Sequence, residues 1–302
     1  MLFRSSGRST RMPRWLAELG VAVPEPTVID AQVGYATRLY RARPSLDADF
    51  PGVMIGATKE SLRGALALPA ENGLWMIATI GLGDRRPPRD NAGFEHFLTQ
   101  LADPAIADLV AHCDPVTDAQ IHRQTSNIRH PYERVLHWPD GLLAAGDALC
   151  AFDPVYGQGI TVGAIQALQL RRAAERGLRP SGAGRLQRQL VGVVNTPWAI
   201  ATAADMSFPT SDAQLSLLQR VLGVWGEEVA GLVISGDERA NDSLNRVYNL
   251  MDSPLVLMHP RLVASAALAR VFGRAPAARR PSVLDELAPD RLFDSHPVSA
   301  SG

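Results

Sequence analysis

Cysteine is scarce. Cys113 and Cys150 are the two in 302 residues, too few for a disulfide framework and without zinc-ligand spacing, so a reducing cytoplasm is the expected compartment. An excess of either charge is missing as well. Thirty basic side chains against 31 acidic ones give a formal charge of -1, which argues against nucleic acid as a partner. Lysine is nearly absent, Lys59 standing alone among arginines. So uniform a bias reads as codon usage rather than function. Apolar runs are interrupted by Asn195, by Glu227 and Glu228, and by His259 and Arg261, so no membrane span is expected. No G-x-S-x-G elbow or H-E-x-x-H pair occurs. His112, Cys113, His122, His130 and His137 lack metal-ligand spacing and read as surface or hydrogen-bonded core side chains. Asp84, Asp90, Asp153 and Asp237 show no pairing and read as solvated loop residues.

What is present is a 46% hydrophobic chain, long enough for one large domain or two modest ones. The first 17 residues carry four arginines and no acid. They read either as a transit peptide or as the interior of a domain, with Pro13 opening a helix that Gly20 closes. From Val33 to Ile80 short apolar and alternating runs predict a mostly antiparallel sheet. A polar, Pro-rich loop, GDRRPPRDNAG, precedes two segments with apolar residues at helical spacing, and residues 119–138 read as extended again. Apolar stripes with basic faces predict helices from about 185 to 273, and the final Pro-rich segment reads as a frayed tail.

Residues 142–172, LLAAGDALCAFDPVYGQGITVGAIQALQLRR, describe a buried strand, an acid at its carboxyl end, a Pro-containing loop, two glycines and an amphipathic helix. Ligands of α/β proteins sit beyond the carboxyl ends of strands, where Asp147 is placed to accept hydrogen bonds from sugar or ribityl hydroxyls. Gly157 and Gly159 let backbone amides at the start of a helix beginning near Ile160 approach a flat or anionic ligand. On spacing alone a second reading stands beside this one: a strand, a turn, and a helix packed closely through Gly163.

The whole string resembles the second flavin-binding motif of the FAD-dependent aromatic hydroxylase and epoxidase family. Upstream, SGRSTRMPRWLAELG and VGYATRLYR are similar to that family's middle motif. Downstream, TPWAIATAADMSFP and NRVYNLMDSPLVLMHPRLV are similar to the C-terminal helices of a bacterial branch. The resemblance covers nearly all of the chain. It implies an α/β (α+β) fold with an incomplete FAD-binding Rossmann-like domain, an antiparallel-sheet substrate domain and C-terminal helices. The corresponding segments are 1–32, 33–138, 139–176 and 177–302.

By the resemblance, Gly146 and Asp147 would meet the ribityl or linking part of FAD and Pro154 would lie beside the isoalloxazine. Gly157, Gln158 and Gly159 would line its N1 and O2 edge, Tyr156 would stand near the ring, and Ser6, Gly7 and Arg8 fall on the middle motif. Tyr35, Arg38, Tyr40, Arg123, Arg129 and Tyr132 are candidates for facing substrate. The implied reaction is a monooxygenation: NAD(P)H reduces FAD, oxygen adds, and the hydroperoxide transfers one oxygen atom to a small apolar or aromatic substrate. No catalytic side chain is obligatory in such chemistry. Arg4 occupies the place of the middle motif's leading Asp, and no G-x-G-x-x-G appears. The expectation is therefore a truncated member, a misassigned start codon, or a subunit completed by another, N-terminal polypeptide, with a homodimer as the other partner expected. The alternatives are a non-catalytic remnant and a flavin-dependent reductase or halogenase.

Overall fold

The Asn72-Gly73 dipeptide between two apolar runs marks a tight hairpin. In the computed structural model, which describes residues 2–4, 7–44, 46 and 50–273, both take positive φ, 61° at Asn72 and 67° at Gly73. That backbone twist matches the twist of the strands it joins.

In chain order the strands are β1 (Leu2–Arg4), β2 (Thr27–Ile29), β3 (Val33–Ala42), β4 (Val53–Ile55), β5 (Arg63–Ala70), β6 (Leu74–Leu82), β7 (Cys113–Pro115), β8 (Gln120–His122), β9 (Asn127–Arg129), β10 (Leu142–Ala144) and β11 (Cys150–Ala151). The helices are α1 (Met12–Glu18), α2 (Asn91–Leu98), α3 (Ala105–Ala111), α4 (Gln158–Glu175), α5 (Ala183–Asp205), α6 (Leu217–Ile234), α7 (Glu238–Tyr248) and α8 (Pro260–Phe272).

The described residues divide into two units, one built from residues up to 31, 125–207 and 211–273, the other from 32–124 and 208–210. The second unit is an antiparallel sheet in the order β4-β5-β6-β3-β7, with β8 also pairing β3. Alternation along β3 and β6 turns every second side chain inward. There Ala36, Tyr40, Trp75 and Ile77 pack with Phe94 and Leu98 of α2 and Ile106 and Leu109 of α3. Each large apolar side chain so buried stabilises the unit by roughly 1.5–3 kcal/mol. Asp90 caps α2, its carboxylate accepting from the Gly93 amide at 2.7 Å.

The first unit holds a parallel pair, β1 with β10, and a three-stranded antiparallel sheet, β11-β9-β2. Its main core joins Met12 and Leu16 to Leu142, Leu143 and Leu149, and these to Val162, Leu186 and Leu190. The segments read from sequence as 1–32 and 139–176, and the described part of 177–302, therefore fall in one unit except for Gln32 and residues 208–210. The sheet unit ends at residue 124 rather than 138, because β9 pairs with β2 and β11. A smaller cluster, Val229, Leu232, Ala240, Leu262 and Ala266, binds α6, α7 and α8 together. The fold is a mixed helix-and-sheet one with antiparallel sheets, as the sequence predicts. No helix among the described residues is long and apolar enough to cross a membrane. The final Pro-rich segment lies outside the described residues.

Candidate functional site

Strand β10 is buried along its whole length, and its backbone is satisfied from two sides. Strand β1 pairs with one edge. On the other, the Gln187 side chain of α5 takes the place of a strand: the Ala144 amide donates to Gln187 Oε1 at 2.8 Å, and Gln187 Nε2 donates to the Ala144 carbonyl at 3.1 Å. A second buried glutamine, Gln166 of α4, accepts from the Gly146 amide at 2.7 Å and donates to the Leu190 carbonyl at 3.0 Å. These amides fix the carboxyl end of β10 against α4 and α5.

At that end Gly146 turns the chain with φ 59°, a left-handed conformation costly to other residues, and delivers Asp147. Asp147 is half-buried and makes no hydrogen bond or ion pair with the described residues. Its Oδ1 lies 3.9 Å from where a Cβ on Gly159 would stand, so the carboxylate faces the first turn of α4.

The chain reaches α4 through a single 3-10 turn, Pro154–Tyr156, which Asp153 caps by accepting from the Val155 amide at 3.0 Å. Gly157 follows in the left-handed region, φ 66° and ψ 5°, as N-cap of α4. No side chain caps the helix, and a Cβ at Gly157 would meet no described heavy atom within 4 Å. The amides of the first turn therefore carry the positive end of an 18-residue helix dipole. Gln158 is 4% exposed; Nε2 donates to the Tyr248 carbonyl at 3.1 Å, while Oε1 is buried without a partner among the described residues. Pro154 and Gly157 are exposed, and Gly159 is half-buried.

Of the middle-motif residues, Ser6 lies outside the described residues. Gly7 has φ 73°. The Arg8 guanidinium ties two loops together, donating to the carbonyls of Ser126 and, at 2.6 Å, of Phe152.

The structure adds a cluster that sequence reasoning missed. Asp153, read as a solvated loop residue, is 1% exposed, and so is Asp205 at the end of α5. Asp205 accepts from the Tyr156 hydroxyl at 2.5 Å and from Asn127 Nδ2 at 2.5 Å; Asn127 Oδ1 in turn accepts from the Asp153 amide at 2.9 Å. Burial pushes the Asp153 carboxyl up to about 7, with the charges of Asp205 and Asp30 acting in the same direction and the Val155 amide and Arg8 opposing. Burial also raises Asp205 to about 6, reinforced by Asp30 and opposed by the Tyr156 and Asn127 hydrogen bonds. Tyr156 is driven upward, first by burial and then by Asp205. The 3-10 turn ahead of α4 thus rests on two buried carboxyls. The one sequence signal was Asp205's place within TPWAIATAADMSFP.

Of the remaining candidates Arg38 and Tyr40 touch, the guanidinium lying 5.3 Å from the centroid of the Tyr40 ring. Tyr35 stacks on His122 with ring centroids 4.8 Å apart, and Arg38 donates to Glu95 at 2.8 Å and to the Thr117 carbonyl at 2.7 Å. Tyr40 and Tyr132 are core side chains, and Arg129 donates to Glu133 and Asn195. Cys113 is buried and pushed up to about 11 by that burial, and burial raises Cys150 further. Among the described residues no group of three or more His, Cys, Asp or Glu side chains could hold a metal ion.

No protein-family model matches the chain. The Mycobacterium tuberculosis protein Rv3254 is 27% identical over 253 residues, covering 82% of this chain and 53% of its own. Among solved structures, a triple mutant of the flavin-dependent brominase Bmp2 superposes with TM-score 0.56 at 12% identity, over 88% of this chain and 62% of that one. A flavoprotein/dehydrogenase from Cytophaga hutchinsonii gives 0.52 at 11% identity, over 89% and 61%. The myxobacterial chondrochloren halogenase CndH gives 0.50 at 17% identity, over 91% and 62%. This chain has the fold of these proteins. It spans about half the length of the curated relative it matches and under two thirds of these solved chains.

Proposed function

We propose that the chain is an FAD-dependent oxidoreductase of the monooxygenase kind, using NAD(P)H and oxygen on a small apolar or aromatic substrate. The observation that carries this reading is Asp147, a carboxylate without a partner among the described residues, facing Gly159 at the uncapped start of α4. The site suits a flavin dinucleotide in two respects. Asp147 would accept from ribityl hydroxyls, and the amides after Gly157 would donate to the electron-rich N1 and O2 edge. When bound, FAD supplies the redox and oxygen chemistry. The chain's own residues would orient it: Gly157 keeps the approach open, Pro154 would lie alongside, and Tyr156 with Asp205 holds the turn in place. The likeness in fold to proteins described as flavin-dependent supports the same reading.

A second reading is favoured by one observation: β1 has a partner strand on one edge only, among the described residues. On that reading the flavin site is completed by a further polypeptide segment beside β1. Incubation with FAD followed by gel filtration separates the two. Retained blue and near-ultraviolet absorbance, bleached by NAD(P)H and restored by air, is expected for the first. A protein that elutes colourless overturns an autonomous flavoenzyme, and Asp147→Ala is expected to abolish retention.

A further inference from the structure

The loop GDRRPPRD has a role that the flavin reading does not touch, and it lies wholly within the sheet unit. The strand register gathers its arginines. Arg63 opens β5 opposite Gly81, Gly81 is also opposite Gly34 of β3, and the next residue of β3, Tyr35, is opposite His122 of β8. Arg63, the turn after β6 carrying Arg85, Arg86 and Arg89, and Arg123 just after β8 therefore share one end of the sheet. Three strand spacings across that end come to about 14 Å.

The turn is held tightly there. A Cβ on Gly81 would fall 2.0 Å from the Arg85 carbonyl oxygen, and one on Gly34 would fall 3.0 Å from Cγ and Cδ of Arg86. Arg86 Nε donates to the Gly83 carbonyl at 2.8 Å, and Arg123 Nη2 donates to the Pro87 carbonyl at 2.8 Å. Arg63 lies over the Phe97 ring at 5.7 Å. None of these partners is a carboxylate. Among the described residues no ion pair involves any of the five arginines, and Asp90 in the same loop is occupied in capping α2. The Nε atoms of Arg63 and Arg123 are buried without partners among the described residues. Burial, then the charges of Arg86 and Arg89, pull Arg123 below the ordinary guanidinium value; burial, then Arg85, does the same to Arg63. Partly buried cations are normally paired, and here they crowd one another.

We propose that this arginine rim binds the diphosphate group of a small-molecule ligand, with Arg86, Arg89 and Arg123 as its centre and Arg63 and Arg85 flanking it. A single carboxylate would offset one of the five charges. A diphosphate offers several oxygens and more than one negative charge to planar guanidinium forks. The site does not depend on FAD binding in the other unit.

Calorimetric titration with inorganic pyrophosphate and with adenosine diphosphate, at constant ionic strength, tests this. Saturable one-site binding is expected. Arg89→Gln, an exposed position whose loss leaves the sheet intact, and Arg123→Gln should each weaken binding by about tenfold. Arg41→Gln, at the opposite end of the same sheet, should change it by less than about twofold. Tighter binding of adenosine diphosphate than of pyrophosphate assigns the rim to a nucleotide, and equal binding assigns it to free diphosphate. Absence of saturable binding overturns the proposal. So does an Arg41→Gln loss as large as that of Arg89→Gln, since that is the mark of diffuse charge.

Discussion

Replacing Asp153 with asparagine should stabilise the protein, and by an amount that depends on pH. The substitution keeps an oxygen to accept from the Val155 amide, the contact now made at 3.0 Å, and removes the group whose ionisation is suppressed by burial. The carboxyl is raised from 3.8 to about 7 in the folded protein. Between those values the folded state keeps a proton that the unfolded chain has lost, so wild-type stability is full below the lower value and falls as pH rises towards the upper one. A shift of about three units corresponds to about 4 kcal/mol in total. The variant has no such loss, while Asp205 titrates in both proteins. Its advantage should therefore grow by about 2–3 kcal/mol between about pH 5 and about pH 8. Urea denaturation at both pH values reads this as a relative midpoint shift on the order of 1 M. A difference that stays constant with pH, or that turns against the variant at the higher pH, would refute the idea of a carboxyl held protonated by burial.

Other substitutions probe neighbouring parts of the argument. Tyr156→Phe removes the 2.5 Å donor to Asp205 and should cost about 1–3 kcal/mol in the same urea assay, most strongly above about pH 6 where Asp205 is ionised. Gln187→Leu leaves the amide and carbonyl of Ala144 buried and unpaired, and a loss of about 2–4 kcal/mol is expected by chemical denaturation. Gly157→Ala meets no described atom within 4 Å, so its stability loss should stay near the ~1 kcal/mol of a left-handed non-glycine residue. A markedly larger loss in thermal melts would mean an unseen steric constraint. Both thiols are buried and raised, so a disulfide exchange reagent should label neither Cys113 nor Cys150 until denaturant is added.

The strand, turn and helix of residues 142–172 were legible because each signal is local: an apolar run, a glycine before an acid, and a glycine pair before an amphipathic stretch. The helix starts at Gln158, one turn or less from the expected position near Ile160. The antiparallel sheet was legible for the same reason, through the short apolar and alternating runs from Val33 to Ile80. Asp153 was not. An aspartate before a proline has the same local pattern whether the turn is solvated or buried, and only packing against Asn127 and Asp205 decides it. The end of the sheet unit at residue 124 was hidden because β9 takes partners remote in sequence. The arginines of the loop read as coding bias until the register of four strands set them side by side.

The Gln187 amide has a consequence for how this chain behaves among its own copies. An open strand edge is a template for pairing with another molecule, and proteins blunt such edges with charge, bulges or cover. Here one side chain from α5 covers the outer edge of β10 by reproducing the hydrogen bonds a neighbouring strand would make. The parallel pair is thereby closed to extension on the β10 side. Losing that amide would leave the Ala144 amide and carbonyl buried with no partner, so Gln187 closes the pair of β1 and β10 as a third strand would.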